Sequence, residues 1–131
     1  MKKAYLEIKY HSDHSNKPRI DSISDLLAKC GYSSTCIARD MERWGQTSFT
    51  PKDLMMETFK IMDACDVAII DLTEKGVGLG IEAGYAHATQ IPLVAIAENS
   101  PISTTLLGIS TCHHIYADDA DLLRFFRSNL K

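Results

Sequence analysis

In "AYLEIKY" the apolar residues Ala4, Leu6 and Ile8 alternate with Glu7 and Lys9, which predicts a β-strand of period two. "RIDSISDLLAKCG" places Ile20, Ile23, Leu26 and Leu27 at helical spacing and ends on Gly31, a natural helix stop. "SSTCIA" predicts a short second strand, and "RDMERWGQTSF" a charged loop of functional length. Thr50 then caps a helix that has Pro51 at its first position, with Asp53 completing a capping-box-like pattern. Leu54, Met55, Thr58, Phe59, Ile61 and Met62 form its packing stripe. "DVAIID" is apolar throughout between two aspartates, as in a central parallel strand covered on both faces. "IEAGYAHATQ" follows as a helix, "IPLVAIA" as another buried strand, and "PISTTLLG" as a short helix. "HHIYA" and "DDADLLRFFRSNL" complete the pattern as a fifth strand and a closing amphipathic helix. Strand and helix alternate throughout. The expected fold is α/β: a five-stranded, parallel, doubly wound sheet in a three-layer sandwich of flavodoxin-like order. Ligands of such sheets bind beyond the carboxyl ends of the strands, the edge that should carry Asp71, the glycine segment after it and Glu82.

Composition narrows the function without naming it. A chain of 131 residues, 45% hydrophobic and 24% charged, fits one globular domain spanning 1–131. A formal charge of -3 argues against a nucleic-acid backbone or an anionic membrane as the main partner. Glu7 and Lys9 interrupt any signal-like apolar region, and no apolar run approaches the ~20 residues of a membrane helix. Cys30, Cys36, Cys65 and Cys112 form no CxxC pair, so the expected setting is the reducing cytoplasm with neither disulfides nor structural zinc.

The segment "GVGLGIEAGYAHA" carries the chemistry. Gly78, Gly80 and Ala83 fit a dinucleotide fingerprint, with Glu98 about 20 residues further on. Three features oppose that reading. "LTEKGV" separates the strand from the first glycine, the pattern follows the third strand rather than the first, and Glu82 occupies the place of a pyrophosphate. The alternative makes the carboxylate the point. A Glu in the first turn of a helix is held ionised by the dipole, and flanking glycines admit a ligand close to the backbone. Such a carboxylate can stabilise or bond to an anomeric carbon. A bland role, capping the helix, stands beside this one. Asp71 likewise has two readings, holding sugar hydroxyls or capping the turn.

"GVGLGIEAGYAHA" resembles the V-G-x-G-x-E-x-G-x-A signature of the nucleoside 2-deoxyribosyltransferase family, which includes the related 2′-deoxynucleoside 5′-monophosphate N-glycosidases. "PLVAI" and "PISTTLLGIS" extend the resemblance, which is good from about Asp63 to Ser110 and thin before that. It implies that Glu82 is the nucleophile attacking C1′, with Gly78 and Gly80 giving close approach. It also implies that Tyr5 lines the sugar pocket and that Ser103 reaches the site of a neighbouring subunit. The expected assembly is therefore a homodimer or larger, acting on a small nucleoside or nucleotide without metal or organic cofactor. Departures are equally specific. The transferases' base-contacting Asp falls on Gly76, and a carboxylate that helps protonate the leaving base falls on Thr58, with Glu57 adjacent but turned about 100° away. Ser103, where transferases have Asn, resembles the monophosphate-hydrolysing branch. That branch's N-terminal phosphate loop is not recognisable in "EIKYHSDHSNKPR", although Lys9, Ser12 or Arg19 could substitute.

The expected function is cleavage of the N-glycosidic bond of a (2′-deoxy)nucleoside or its 5′-monophosphate, by transfer to another base or to water. The alternatives are a glycohydrolase acting on another nucleotide such as NAD, and a non-catalytic nucleotide-binding module of the same fold. His11, Asp13 and His14, or Cys112 to His114, lack a convincing set of four metal ligands. Arg39, Glu42, Arg43 and Trp44 could stack a base and contact phosphate, or simply form a charged loop anchored by its Trp.

Overall fold

The central strands are covered on both sides, and the alternation of their side chains decides which helices they meet. The computed structural model describes residues 1–131. Its strands are β1 (Lys2–Ile8), β2 (Tyr32–Thr35), β3 (Val67–Asp71), β4 (Leu93–Glu98) and β5 (Cys112–Tyr116). Its helices are α1 (Lys17–Lys29), α2 (Pro51–Asp63), α3 (Val77–Ala88), α4 (Thr104–Leu107) and α5 (Asp119–Asn129). All strand pairs are parallel, in the order β2-β1-β3-β4-β5. The expected doubly wound, flavodoxin-like sheet is present, and no helix is long and apolar enough to cross a membrane.

Ala4, Leu6 and Ile8 of β1 join Val67 and Ile69 of β3 and Val94 and Ile96 of β4 in a core beneath α1 and α5. Tyr5, Ala68, Ile70, Leu93, Ala95 and Ala97 point the other way, into a second core with Met62 of α2 and Leu79, Ala83 and Ala86 of α3. The period of two thus sorts the side chains between two apolar layers. Local signals set the helix ends: Thr50 accepts from the Asp53 amide at 3.2 Å, Asp118 from the Asp121 amide at 2.8 Å, and Gly31 adopts a left-handed conformation (φ 86°) after α1.

Two expectations need correction. The second strand stops at Thr35, and Ile37–Met41 forms one π-helical turn instead of extended chain and loop. Asp40 holds that turn by accepting from the Cys36 amide at 2.8 Å, while Arg39 donates to Ser24 Oγ at 2.6 Å and to the Ser34 carbonyl at 3.1 Å. The second correction concerns α3, which begins at Val77. Gly78 and Gly80 are therefore helical residues, and Glu82 is in the second turn, beyond the free amides of the helix start.

Candidate active site

β1 and β3 are neighbours whose chain connections leave in opposite directions, so a crevice opens where their carboxyl ends part. Glu7, at the end of β1, projects from the same face as Tyr5. Ile8 pairs with Asp71, so the β3–α3 connection rises beside Glu7 and brings Gly76, Gly78 and Glu82 opposite it. These residues, with Ile8, Lys9, Tyr10 and Leu79, line a cavity of about 190 Å³.

Its floor is a three-residue cluster. The Tyr5 hydroxyl donates to Glu7 Oε2 at 3.0 Å, and the Ile8 amide donates to Glu7 Oε1 at 3.1 Å. Glu82 is 5% exposed and lies within hydrogen-bonding reach of both Tyr5 and Glu7. Its Oε2 is buried without a partner. Burial pushes the Glu82 carboxyl far above the usual carboxylate range, and the neighbouring Glu7 charge pushes it further. Burial also raises Glu7, against the lowering effect of its Tyr5 and Ile8 donors. Tyr5, buried beside both acids, is held as the neutral phenol. Two carboxyls this close cannot both ionise, so the pair retains one proton above the ordinary carboxylate range. The expectation that a helix dipole keeps Glu82 ionised is overturned: Glu82 lies past the first turn, and burial and Glu7 act in the opposite sense.

No protein-family model matches the chain, and a search of curated proteins finds no match. Solved structures do match. A CMP N-glycosidase, BcmB, from Clostridium botulinum superposes with a TM-score of 0.70 at 17% identity, over 95% of this chain and 98% of that one. A 2-deoxyribosyltransferase from Bacillus psychrosaccharolyticus gives 0.70 at 11% identity, over 92% and 90%. A conserved protein from Enterococcus faecalis V583 gives 0.77 at 15% identity, over 99% of each chain. The fold is that of the deoxyribosyltransferases.

Within that fold the residues singled out from sequence separate into two groups. Gly78 and Glu82 line the cavity, and Tyr5, fully buried, lies beneath it and reaches it only through its hydrogen bond to Glu7. Asp71, Gly80 and Ser103 are not among its lining residues. Asp71 points to the opposite face of the sheet and is fully buried there. Its Oδ1 accepts from the Thr73 amide (2.9 Å) and hydroxyl (2.5 Å), and its Oδ2 from the Tyr116 hydroxyl at 2.6 Å. Ser103 opens α4 with its hydroxyl 2.9 Å from that of Thr105. Trp44 lies under the Lys17 ammonium (4.9 Å) and beside Tyr10, anchoring its loop.

A larger depression, about 760 Å³, separates the π-helical turn from α2 and includes Arg43, Asp53 and Glu57. It contains no buried, unpartnered polar atom, unlike the smaller cavity lined by Glu82 and another of about 220 Å³ lined by Arg19, whose Nε and Nη2 are buried without partners. Glu7 is the residue that sequence reading passed over. Its place in an alternating strand suggested solvent, although the expected sheet order already makes β1 central, with neither face meeting water along most of its length.

Proposed function

We propose that the chain is an N-glycosyl transferase or hydrolase that cleaves the base–sugar bond of a (2′-deoxy)nucleoside or its 5′-monophosphate through Glu82. The unpartnered, solvent-inaccessible oxygen of Glu82, a residue that lines a cavity at the topological switch point, carries this reading. A sugar carbon in that cavity would replace the water that Glu82 has lost. The cavity is smaller than the ~300–1,000 Å³ typical of whole-ligand pockets, which suits a pentose with the base lying over the mouth. Glu7 and Glu82 line the same small cavity and interact directly, an arrangement nearer the ~5–5.5 Å between carboxyls of retaining glycosidases than the ~6.5–9.5 Å of inverting ones, which favours a covalent glycosyl-enzyme. The chemistry named for the Clostridium and Bacillus proteins belongs to the same class. Gly78 allows the sugar close to α3, and Tyr5 orients both carboxyls. Asp71 supports the sugar indirectly, by fixing the turn that leads to Gly76.

The test is base release from 2′-deoxynucleosides, ribonucleosides and their 5′-monophosphates, with and without a second free base, beside Glu82→Ala. Release that disappears in the variant supports the reading. Stimulation by added base identifies transfer, and its absence hydrolysis. One observation favours the binding-module alternative: a protonated Glu82 is a poor nucleophile. Tight nucleotide binding with no release from any substrate would decide for it.

A further inference from the structure

We propose that Glu7 is the acid–base catalyst of this site, protonating the departing base and then taking a proton from the water or second base that resolves the intermediate. The proposal rests on the reading of Glu82 as nucleophile and assigns the proton donor to a strand that the resemblance leaves without one. The positions that carry acids in the transferases cannot serve. Gly76 has no side chain, and Thr58 is buried on α2 with its hydroxyl donated to the Leu54 carbonyl at 2.7 Å. Glu57 faces outward beside Lys60 and the larger depression.

Glu7 has the required placement. It lines the same cavity as Glu82, and one hydrogen bond to each oxygen, from Tyr5 and from the Ile8 amide, fixes its plane. Each oxygen keeps a free lone pair for a proton or a substrate atom. The unpartnered Glu82 Oε2 opposite it supplies the independent sign of a missing ligand. A single proton shared by the pair is also what a double displacement needs. The shared proton passes from Glu82 to Glu7; the Glu82 carboxylate attacks C1′, the C1′–N bond breaks, its electron pair stays on the base nitrogen, and that nitrogen takes the proton from Glu7. Glu82 is then a glycosyl ester and Glu7 a carboxylate. Water next attacks C1′, the ester bond returns its electron pair to Glu82, and Glu7 takes the water's proton. The pair ends with one proton and one charge, as it began.

The groups facing Glu7 are Tyr5 on its own strand, Cys36 just before the π-helical turn, Glu42 after it and Glu82 on α3, with Lys9 and Tyr10 at the cavity wall. None of these is an arginine or a metal ligand that would hold Glu7 permanently ionised.

The test uses the nucleoside or nucleotide that the wild type cleaves fastest, beside its ring-methylated cationic counterpart (a 7-methylpurine or 3-methylcytosine), whose base departs without protonation. Glu7→Gln should lose 10²–10⁴-fold in kcat/KM on the neutral substrate and less than tenfold on the cationic one. Glu82→Gln should lose both. Equal losses for Glu7→Gln on the two substrates, or none on either, would overturn the proposal. Should Glu7→Gln not fold, the wild-type pH profile decides. Activity on the neutral substrate should fall on the alkaline side, where the pair gives up its proton, and activity on the cationic one should not; matching alkaline limbs would overturn the proposal. A wild type inactive on every substrate overturns the Glu82 reading itself, a result distinct from either.

Discussion

Replacing Glu82 by glutamine keeps its shape and removes the charge that burial and Glu7 oppose. The unfolded chain releases this proton near the ordinary glutamate value of ~4.3, whereas the folded pair keeps it to higher pH. Between those limits the native state binds more protons, so wild-type stability falls as pH rises. Glu82→Gln escapes that loss. It should be inactive and more stable, with an advantage that is small at pH 4 and grows to on the order of 1–3 kcal/mol near pH 8. Thermal melts of both proteins across that range give the answer, and a difference independent of pH would sink the assignment of a raised carboxyl. Asp71 predicts the opposite pattern. Tyr116→Phe removes one of its buried donors and should cost about 1–3 kcal/mol, while kcat/KM changes less than threefold because the cavity is on the other face. A large rise in KM with stability intact would return Asp71 to the sugar. These contrasts also explain what was legible at this scale. Gly78 and Glu82 stood out because the motif places them in order along the chain, whereas Tyr5 rested on the thinner resemblance of the first strand. Glu7 did not stand out, because its partner lies 75 positions away and meets it only when β1 and β3 pair.

Helix α3 begins with an expensive sequence, since each internal glycine costs roughly 0.5–1 kcal/mol relative to alanine. A Cβ at Gly78 or Gly80 would meet no atom within 4 Å, so packing does not demand either glycine. Gly78 lines the cavity and Gly80 does not. Gly80→Ala should therefore raise stability by about 0.5–1 kcal/mol with activity unchanged. Gly78→Ala should raise it equally while KM rises at least tenfold, because its methyl would enter the cavity proposed to hold the sugar. Equal kinetics for the two variants would mean that no ligand approaches α3 there. At this scale most of the fold was legible: the apolar runs of β3 and β4, the caps at Thr50 and Asp118 and the stop at Gly31 are local signals. The π-helical turn was not, because Arg39, which braces it, donates to Ser24 of α1, 15 positions away. The start of α3 was misjudged for a related reason. Glycine signals a turn, but Leu79, Ala83 and Ala86 pack on β3 and β4 and carry the helix through it.

At the scale of the whole molecule, α3 exposes apolar surface next to the cavity-lining Gly76 and Gly78. Val77 is 84% and Ile81 48% exposed, four residues apart on one face of α3, while Glu82 turns inward. Ser103, which the family resemblance assigns to a neighbouring subunit's site, is half-buried at the start of α4 and lines no part of its own cavity. Self-association through α3 would cover Val77 and Ile81. Light scattering should give at least a dimer, and Val77→Glu with Ile81→Glu should give a folded monomer with kcat/KM reduced tenfold or more. Complementation then separates a shared site from mere assembly. Glu82→Gln lacks the nucleophile but retains Ser103; Ser103→Ala retains Glu82 but would deprive its partner. In a mixed dimer one site receives Glu82 from the second variant and Ser103 from the first. Co-refolded mixtures should therefore exceed the mean activity of the two parents severalfold. A mixture that shows only that mean would confine the site to a single protomer and leave Ser103 without a role in it.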